Sequence, residues 1–424
     1  MARSAPPVCR AAGAHRLAPP PPGYRRRRPE TTELYEALRR HTRTWLEQLE
    51  EGGGELPGYV VAEVERYLTC GVLAHGFVRA WCPNCRDDLL VAFSCKGRGF
   101  CPGCCGRRMA DRSALNLNVH LHVLVADGVW FDGSGGGPEF RPVAVDDRLV
   151  RRVVERAGRR VEQWLVDQGI WDPAEYGEDL DSEDRTQLSL WAASAAQVVA
   201  SGPRAGRRVR RERLGVSLAR RSTVERRRRR LQARFGGFDL HARTRVRRGN
   251  RRGLERLCRY LLRPPLAVPR LSLEPDGRYR YELKSVWRDG TTALLFEPLE
   301  LVERLVALVP PPRANLVRYH GVLAPNHRYR DLVVPSPRRG DLCGHRPGQR
   351  VALGPRVPWA QLLRRTFDID VLRCARCGGR RRVLWPAVTA PSLAREILAH
   401  LSVQTVVPAL DPARGPPSDF DEAC

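Results

Sequence analysis

Four cysteines in two matched pairs are the first residues whose type and spacing predict chemistry. Cys82 and Cys85 form one Cys-x-x-Cys pair, Cys101 and Cys104 form another, and fifteen residues separate the pairs. Each pair can present two thiolates to one tetrahedral ion, and this separation is typical of zinc-ribbon sites. The pattern predicts one structural zinc bound by these four sulfur atoms, with no open position for catalysis. The alternative is a set of free, buried cysteines.

Other candidate ligands surround this pattern, and the sequence alone does not rank them. They are Cys70, His75, Cys95 and Cys105. Near the end of the chain, Cys374 and Cys377 form a further Cys-x-x-Cys pair without an evident partner pair. Cys343 and His345 are candidates to complete a second zinc site with them.

Two histidines share one face of a predicted strand. In ALNLNVHLHVLVADG, which begins at Ala114, apolar residues alternate with polar ones, and His120 and His122 fall on the polar face. Strand geometry projects both imidazoles to one side, as a shared metal ion requires. The alternative is a half-exposed strand that binds nothing. His241 lies on the polar face of a second alternating segment, residues 237–248, and is a candidate third ligand.

A tyrosine framed by arginines marks the predicted helix 250–263. Four residues of this helix have the spacing of one buried face: Leu254, Leu257, Cys258 and Leu261. Tyr260 lies off that face. Its basic neighbours are Arg252, Arg256, Arg259 and Arg263. Guanidinium groups at this spacing can hold a phosphate and favour the phenolate form of an attacking tyrosine. The alternative is an ordinary tyrosine on a basic helix.

The charge of the chain indicates a polyanionic partner. The 424 residues carry a formal net charge of +26, and almost all of the basic residues are arginine. Arginine binds phosphate in a bidentate way, so nucleic acid is the simplest partner. Arg107 and Arg108, next to the cysteine pairs, are candidate phosphate contacts. The alternative is that a GC-rich genome favours arginine codons and that these arginines are simply solvated.

Neither a membrane nor a secretory segment is predicted. No stretch reaches the length of a transmembrane helix, and the first residues contain no apolar signal-peptide core. We therefore expect a cytoplasmic protein whose cysteines bind metal and do not form disulfides.

Several segments together resemble one known family. FSCKGRGFCPGC, ALNLNVHLHVLVADGVW, LERLCRYLLRPPL, WRDGTTALLFEPLELVERL and LVRYHGVLAPNHRYR occur in order between residues 67 and 335. Together they resemble the zinc-binding transposases of rolling-circle insertion sequences. Those proteins are HUH-type enzymes, named for a histidine, a hydrophobic residue and a histidine, and they use a nucleophilic tyrosine.

The resemblance implies a mechanism and its cofactors. His120 and His122 would carry Mg²⁺ or Mn²⁺, and Tyr260 would attack DNA to leave a 5′ phosphotyrosine and a free 3′-OH. The DNA partner would be the single-stranded ends of the element, and no nucleotide cofactor would be needed. Some members carry two tyrosines four residues apart, but Arg256 occupies the earlier position here, which implies the single-tyrosine kind.

The resemblance also implies an α+β fold. We expect a small zinc-ribbon-like module followed by an antiparallel-sheet HUH endonuclease-like domain with helical insertions. The domain boundaries predicted from the sequence are a disordered tail at 1–30, a helical segment at 31–66, the zinc module at 67–112, the catalytic domain at 113–335, and a basic Pro/Gly-rich tail at 336–424 that contains the last cysteine pair and a helix around 391–402.

One departure from the family bears on activity. Family members carry a long segment between the last cysteines of the module and the histidine strand, whereas here Arg108 is followed almost directly by Ser113. Loss of that block would remove a sheet neighbour and leave an unpaired strand edge. The alternative function is therefore a DNA-binding remnant without catalysis. A zinc-dependent hydrolase is a third hypothesis, but no HExxH motif supports it.

Overall fold

The computed structural model describes most of the chain in separate stretches. These are residues 24, 26–97, 99–104, 121–168, 181–214, 230–261, 266–287, 289–314, 317–334, 359–367, 369–403 and 410–413. Within them the fold is mixed α+β with small antiparallel sheets, as the sequence predicts. None of the helices in these stretches is both long enough and apolar enough to cross a membrane.

The elements are numbered in chain order. The helices are α1 (Glu33–Glu51), α2 (Gly58–Thr69), α3 (Asp147–Asp167), α4 (Ser182–Ala196), α5 (Arg251–Leu261), α6 (Pro298–Val306), α7 (Arg330–Val333), α8 (Trp359–Phe367) and α9 (Pro391–His400). The strands are β1 (Phe77–Trp81), β2 (Asp88–Ala92), β3 (Gly128–Asp132), β4 (Pro138–Pro142), β5 (Arg210–Arg213), β6 (Gln232–Phe235), β7 (Phe238–His241), β8 (Leu271–Leu273), β9 (Tyr279–Glu282), β10 (Thr291–Phe296) and β11 (Arg382–Val388).

The first two helices form as the sequence predicts. The Thr32 side chain accepts a hydrogen bond from the Tyr35 backbone N–H and caps α1. Leu34, Leu38 and Trp45 of α1 are buried and form its packing face. They belong to the large core, which also contains α2, α6 and the strands β8 to β10. This core provides the frame against which the cysteine-rich segment folds.

A four-stranded antiparallel sheet completes the large core, in the order β5-β10-β9-β8. Helix α6 follows β10 directly and begins with Pro298, and Glu297 and Glu300 form a capping box at its start. Glu303 of α6 accepts hydrogen bonds from the backbone N–H groups of Ala200 and Ser201, which fixes the strand-to-helix unit against the end of α4. Residues 278–296 thus contain strands, whereas residues 298–306 form a helix because their apolar spacing has the helical period.

A three-stranded antiparallel sheet has the order β11-β1-β2. It joins the cysteine-rich segment to the C-terminal part of the chain. Its small core is formed by Leu73, Phe77, Val388, Ala394 and Leu398. Helix α9 confirms the predicted final helix, and it covers one face of this sheet.

Short strands follow helices α3 and α4 in the chain. The segment 142–235 contains α3 and α4 and also β5 and β6. The β6–β7 hairpin packs on α3, where Gly158 lies against Phe235 and Phe238. β7 ends at His241, so the predicted strand 237–248 is correct for only its first part. Beyond it, residues 242–248 are irregular because no strand pairs with them in the described part of the chain.

Candidate metal centres and catalytic segments

Two groups of four cysteines lie close enough to bind metal ions. The first group consists of Cys70, Cys95, Cys101 and Cys104, and within each group all the sulfur atoms lie within 4.8 Å of one another. The Cys70 Sγ lies 3.8 Å from the Sγ atoms of both Cys101 and Cys104. A tetrahedron with zinc–sulfur bonds of about 2.3 Å has sulfur–sulfur edges of about 3.8 Å. The first group therefore has the dimensions of a four-thiolate zinc site.

The surroundings of the first group hold its loop in place. The backbone N–H of Cys95 donates to the Cys70 sulfur over 3.3 Å. Glu63, buried on α2, accepts a hydrogen bond from the Gly99 N–H over 2.9 Å. Phe100 is fully buried and meets the Tyr67 ring edge-on. The large core thus fixes the loop that carries three of the four sulfur ligands.

The second group consists of Cys82, Cys85, Cys374 and Cys377. The Sγ atoms of Cys82 and Cys377 are 3.5 Å apart, as are those of Cys85 and Cys374. None of the described cysteines forms a disulfide. The partner of the last Cys-x-x-Cys pair is therefore the first pair of the chain. The candidates Cys343 and His345 lie outside the described residues, as does Cys105.

The predicted single site of Cys82, Cys85, Cys101 and Cys104 has the wrong grouping. Its two pairs belong to different groups because β1 and β2 form a hairpin with the first pair at its turn. The five residues of β2 carry the chain about 17 Å away from this turn. Cys95, Cys101 and Cys104 follow at the open end of the hairpin, near Cys70, which precedes β1. In the sequence, the signal for this grouping is that Cys70 precedes the hairpin and Cys95 follows it.

The first thiol of each second-group pair is stabilised as a thiolate. The backbone N–H groups of Cys85 and Asn84 donate to the Cys82 sulfur and lower the pKa of that thiol to about 6. Cys377 and Arg376 donate in the same way to Cys374, and the pKa of that thiol is also lowered. Desolvation raises the pKa of Cys85, and the neighbouring Cys82 sulfur raises that of Cys377, so the first thiol of each pair is the one favoured as the zinc-binding thiolate.

The histidine segment is not a strand where the structure describes it. His120 lies outside the described residues, and His122 is exposed in an irregular stretch, 121–127. The exposed fractions of Leu121 and Val123 are 88% and 73%. The predicted strand 115–130 is thus wrong for 121–127. β4 is the only strand that pairs with β3 in the described parts of the chain, and this pairing begins at Gly128.

His241 lies at the end of β7, with its side chain about half exposed. Its Nε2 is 4.0 Å from the Oδ1 of Asp239, which lies two residues earlier on the same face of the strand. In the described part of the chain, neither His122 nor His241 belongs to a group of three or more metal-binding side chains. The fit of this region to Mg²⁺ or Mn²⁺ therefore depends on His120.

Helix α5 confirms the predicted tyrosine helix. It begins after Asn250, whose side-chain oxygen accepts from the Gly253 N–H over 2.8 Å. Arg252 and Arg256 are exposed on it, and position 260 follows Arg256 by one helical turn. The predicted buried face is wrong at Leu254, which is 42% exposed, because this residue lies outside the described core clusters.

Some of the predicted DNA contacts cannot be placed. The side chains of Tyr260 and Arg259 lie outside the described set. The same holds for the whole of Arg263, Arg107 and Arg108.

One ion pair links the stretch that precedes α5 to the stretch that follows His120 and His122. Arg245 Nη2 lies 2.6 Å from Asp127 Oδ2. The guanidinium holds the pKa of this carboxyl below its usual range. Asp127 follows His122 by five residues, and Arg245 precedes α5 by six. The contact connects the two segments that carry the predicted catalytic residues.

A second basic segment presents aromatic rings. Arg328 lies over the Tyr329 ring at 4.6 Å, and Arg330 lies over the Tyr319 ring at 5.6 Å. Residues 317–329 contain turns and a short 3₁₀ helix, so strand packing does not explain this pattern. Arg328 also forms an ion pair with Asp132 of β3.

Comparison with known families assigns the chain. The family described as "Putative transposase" matches residues 112–330, which is more than half of the chain. The family described as "Transposase zinc-binding domain" matches residues 37–126. No curated protein and no solved structure matches the chain. The fold and the cysteine groups thus belong to a DNA-processing protein with structural zinc. The chain belongs to the family described as "Putative transposase".

Proposed function

We propose that this protein is an HUH-type DNA transposase that cleaves and rejoins single-stranded DNA through Tyr260. The observation that carries the proposal is the transposase match over residues 112–330. That range contains His120, His122, His241 and Tyr260. The net charge of +26 further supports a nucleic-acid substrate.

The proposed cleavage is a transesterification. The Tyr260 phenolate attacks the scissile phosphorus, a phosphorus–tyrosine bond forms, and the bond from phosphorus to the 3′ oxygen breaks. The leaving oxygen takes up a proton and becomes a free 3′-OH. Attack by another 3′-OH on the phosphotyrosine reverses the step and joins two strands. Bond energy is retained in the phosphotyrosine, so no nucleotide cofactor is needed.

Arginines on α5 are the proposed phosphate contacts. Arg252 and Arg256 are exposed, and Arg256 is one helical turn from position 260. A guanidinium at this place would orient the phosphate and favour the ionised tyrosine. Arg259 and Arg263 extend the same basic helix in sequence. His120 and His122 are the proposed holders of a divalent cation, which would offset charge on the scissile phosphate.

A longer track for the strand is available on α3. Val150, Val154 and Gly158 face the core side of this helix. Its exposed side carries arginines one helical turn apart: Arg148, Arg152, Arg156 and Arg160. Consecutive members of this row are about 6 Å apart along the helix axis. This row fits a single strand held by its phosphates.

A labelled pool of random-sequence single-stranded 60-mers tests the proposal. The full-length protein is incubated with the pool and Mg²⁺ or Mn²⁺, and adducts that survive denaturing electrophoresis are counted. We expect an adduct from the wild type and from the matched control Tyr319→Phe, and at least a 100-fold loss in Tyr260→Phe. An undiminished adduct in Tyr260→Phe would overturn the assignment of the nucleophile.

DNA binding without cleavage is the second candidate function. The exposure of the apolar residues beside His122 favours it, because a catalytic strand needs a paired sheet around it. This function predicts tight binding of the 60-mer pool and no adduct from any variant with either metal ion.

A further inference from the structure

The two cysteine pairs of the second group form the same turn. In each, the N–H of the first cysteine donates to the carbonyl five residues later, over 2.9 Å to Asp87 and 2.8 Å to Gly379. In each, the residue four positions on donates back to that cysteine's carbonyl over 2.9 Å, and these residues are Arg86 and Gly378. Both have positive φ, 57° and 71°.

This shared geometry is informative because the two turns have different sequences. The first turn has the sequence CPNCRD and the second has CARCGG. Only the cysteines at the first and fourth positions are common to both. Arg86 adopts the left-handed conformation although it carries a side chain, which is uncommon for a non-glycine residue. Two such turns that meet with their sulfur atoms 3.5 Å apart are the arrangement of two zinc knuckles around one ion.

The charge around these sulfurs suits a bound ion as well. Four thiolates and one zinc ion leave a net negative charge. Arg381, with a side chain only 7% exposed, forms an ion pair with Asp87, and its Nη1 donates to the Arg373 carbonyl over 3.1 Å. The Asp87 Oδ2 is 3.8 Å from the Cys374 Sγ. Arg381 therefore neutralises the carboxylate that lies beside the Cys374 sulfur, so Asp87 adds no further net negative charge to the group.

We propose that Cys82, Cys85, Cys374 and Cys377 bind a second structural zinc that fastens residues 369–403 to the β1–β2 hairpin. This site straddles the boundary of the zinc-binding match, which ends at residue 126. The zinc-binding unit is thus discontinuous, and its last strand and helix come from the C-terminal part of the chain.

The apolar contacts that dock this segment are few. The small core contributes five buried residues, of which Val388, Ala394 and Leu398 come from the C-terminal segment. A unit this small, with so few buried side chains, is rarely stable without a disulfide or a bound metal ion. Zinc supplies folding free energy directly when its ligands come from separate segments. Loss of this ion therefore releases β11 and α9 from the sheet.

The two ions differ in accessibility. Cys377 is exposed although Cys82 and Cys374 beside it are buried, whereas none of the four cysteines of the first group is exposed. A chelator should reach the second site first. We therefore expect zinc release in two phases, and the faster phase belongs to the site that holds the C-terminal segment.

Native mass spectrometry and hydrogen exchange on the full-length protein test the proposal. We expect two zinc ions in the wild type, one in the double variant Cys374→Ser/Cys377→Ser, and two in the control Cys258→Ser, whose cysteine on α5 belongs to neither group. One zinc in the wild type, or two in the double variant, would overturn the proposal.

Measurements on the wild type alone guard against a misfolded variant. After a chelator removes the first equivalent of zinc, amide exchange in residues 382–400 should accelerate at least tenfold while exchange in α1 stays slow. Unchanged exchange in 382–400 would contradict the clamp. Neither readout depends on DNA cleavage, so the zinc site and the proposed function can fail separately.

Discussion

The Sγ of Cys85 lies 3.5 Å from the Sγ of Cys374, although 289 positions separate the two residues in sequence. This contact joins the start of the zinc module to the C-terminal part of the chain. It is supported by the pairing of β1 with β11, in which Trp81 lies opposite Arg382. The cysteine-rich segment and the tail are therefore one structural unit.

Arg381→Gln should loosen this unit. The substitution removes the buried guanidinium, its ion pair with Asp87 and its hydrogen bond to the Arg373 carbonyl. We expect a loss of about 1–3 kcal/mol in the free energy of unfolding, together with faster zinc release to a chelator. The exposed Arg382→Gln is the matched control. Equal stability of the two variants in urea denaturation would contradict the role given to Arg381.

Glu63→Ala should weaken the first cysteine group. The buried carboxylate accepts from the Gly99 N–H in the loop between Cys95 and Cys101. Without it, a buried donor loses its partner, which costs about 1–3 kcal/mol. Thermal unfolding of Glu63→Ala should occur several degrees below that of Glu65→Ala, an exposed neighbour. If both melt together with the wild type, Glu63 does not support the loop.

Phe100→Ala should be among the more damaging changes near the first group. Phe100 is fully buried and meets the Tyr67 ring at a centroid distance of 5.3 Å. Truncation of a buried phenylalanine costs about 3–5 kcal/mol. Urea denaturation should show this loss, whereas Phe131→Ala, on the exposed hairpin β3–β4, should change the midpoint little. A neutral Phe100→Ala would mean that this ring is not part of the cooperative core.

The contribution of Asp289 to stability should disappear in acid. The Thr291 hydroxyl and backbone N–H donate to this carboxylate, Arg211 binds it, and its pKa is held at about 2. Because the folded pKa is depressed, the stabilisation is full above the unfolded pKa near 4 and is lost as the pH falls toward 2. The stability gap between wild type and Asp289→Asn should shrink from pH 6 to pH 2. A constant gap would exclude this linkage.

Arg252→Gln and Arg256→Gln should weaken DNA binding through phosphate contacts. Each lost contact on single-stranded DNA lowers the slope of log affinity against log salt by about 0.7. The loss should be the same for different sequences. Arg278→Gln is the control, because that guanidinium already binds Asp276 on a turn. Fluorescence anisotropy over a range of salt concentrations measures the slopes, and an unchanged slope in both variants would remove α5 from the interface.

The sequence predicted the elements of this protein better than their partners. The Cys-x-x-Cys spacing correctly indicated metal-binding cysteine groups, and the helical segment predicted at 31–66 contains α1 and most of α2. Their assembly was not visible, because the partner of Cys85 lies at Cys374 and depends on which strand pairs with β1. Strand pairing between distant segments leaves no periodic signal in either one.

The histidine segment fails for a related reason. Alternation at residues 121–125 describes what a strand would look like in a sheet, but a strand forms only when another strand satisfies its backbone hydrogen bonds. In the described part of the chain, no strand pairs with residues 121–127, and pairing begins only at Gly128. Helix α5 was predictable because its hydrogen bonds are local.

The central claim is that Tyr260 forms a covalent bond to DNA. The residue that carries the bond can be identified directly. After nuclease and trypsin digestion of the wild-type reaction with single-stranded 60-mers and Mn²⁺, mass spectrometry should find a nucleotide-5′-phosphate on the peptide 260–270, whose only tyrosine is Tyr260. The same modification on Tyr319 or Tyr329, or unmodified 260–270 in a reaction that has cleaved DNA, would contradict the account.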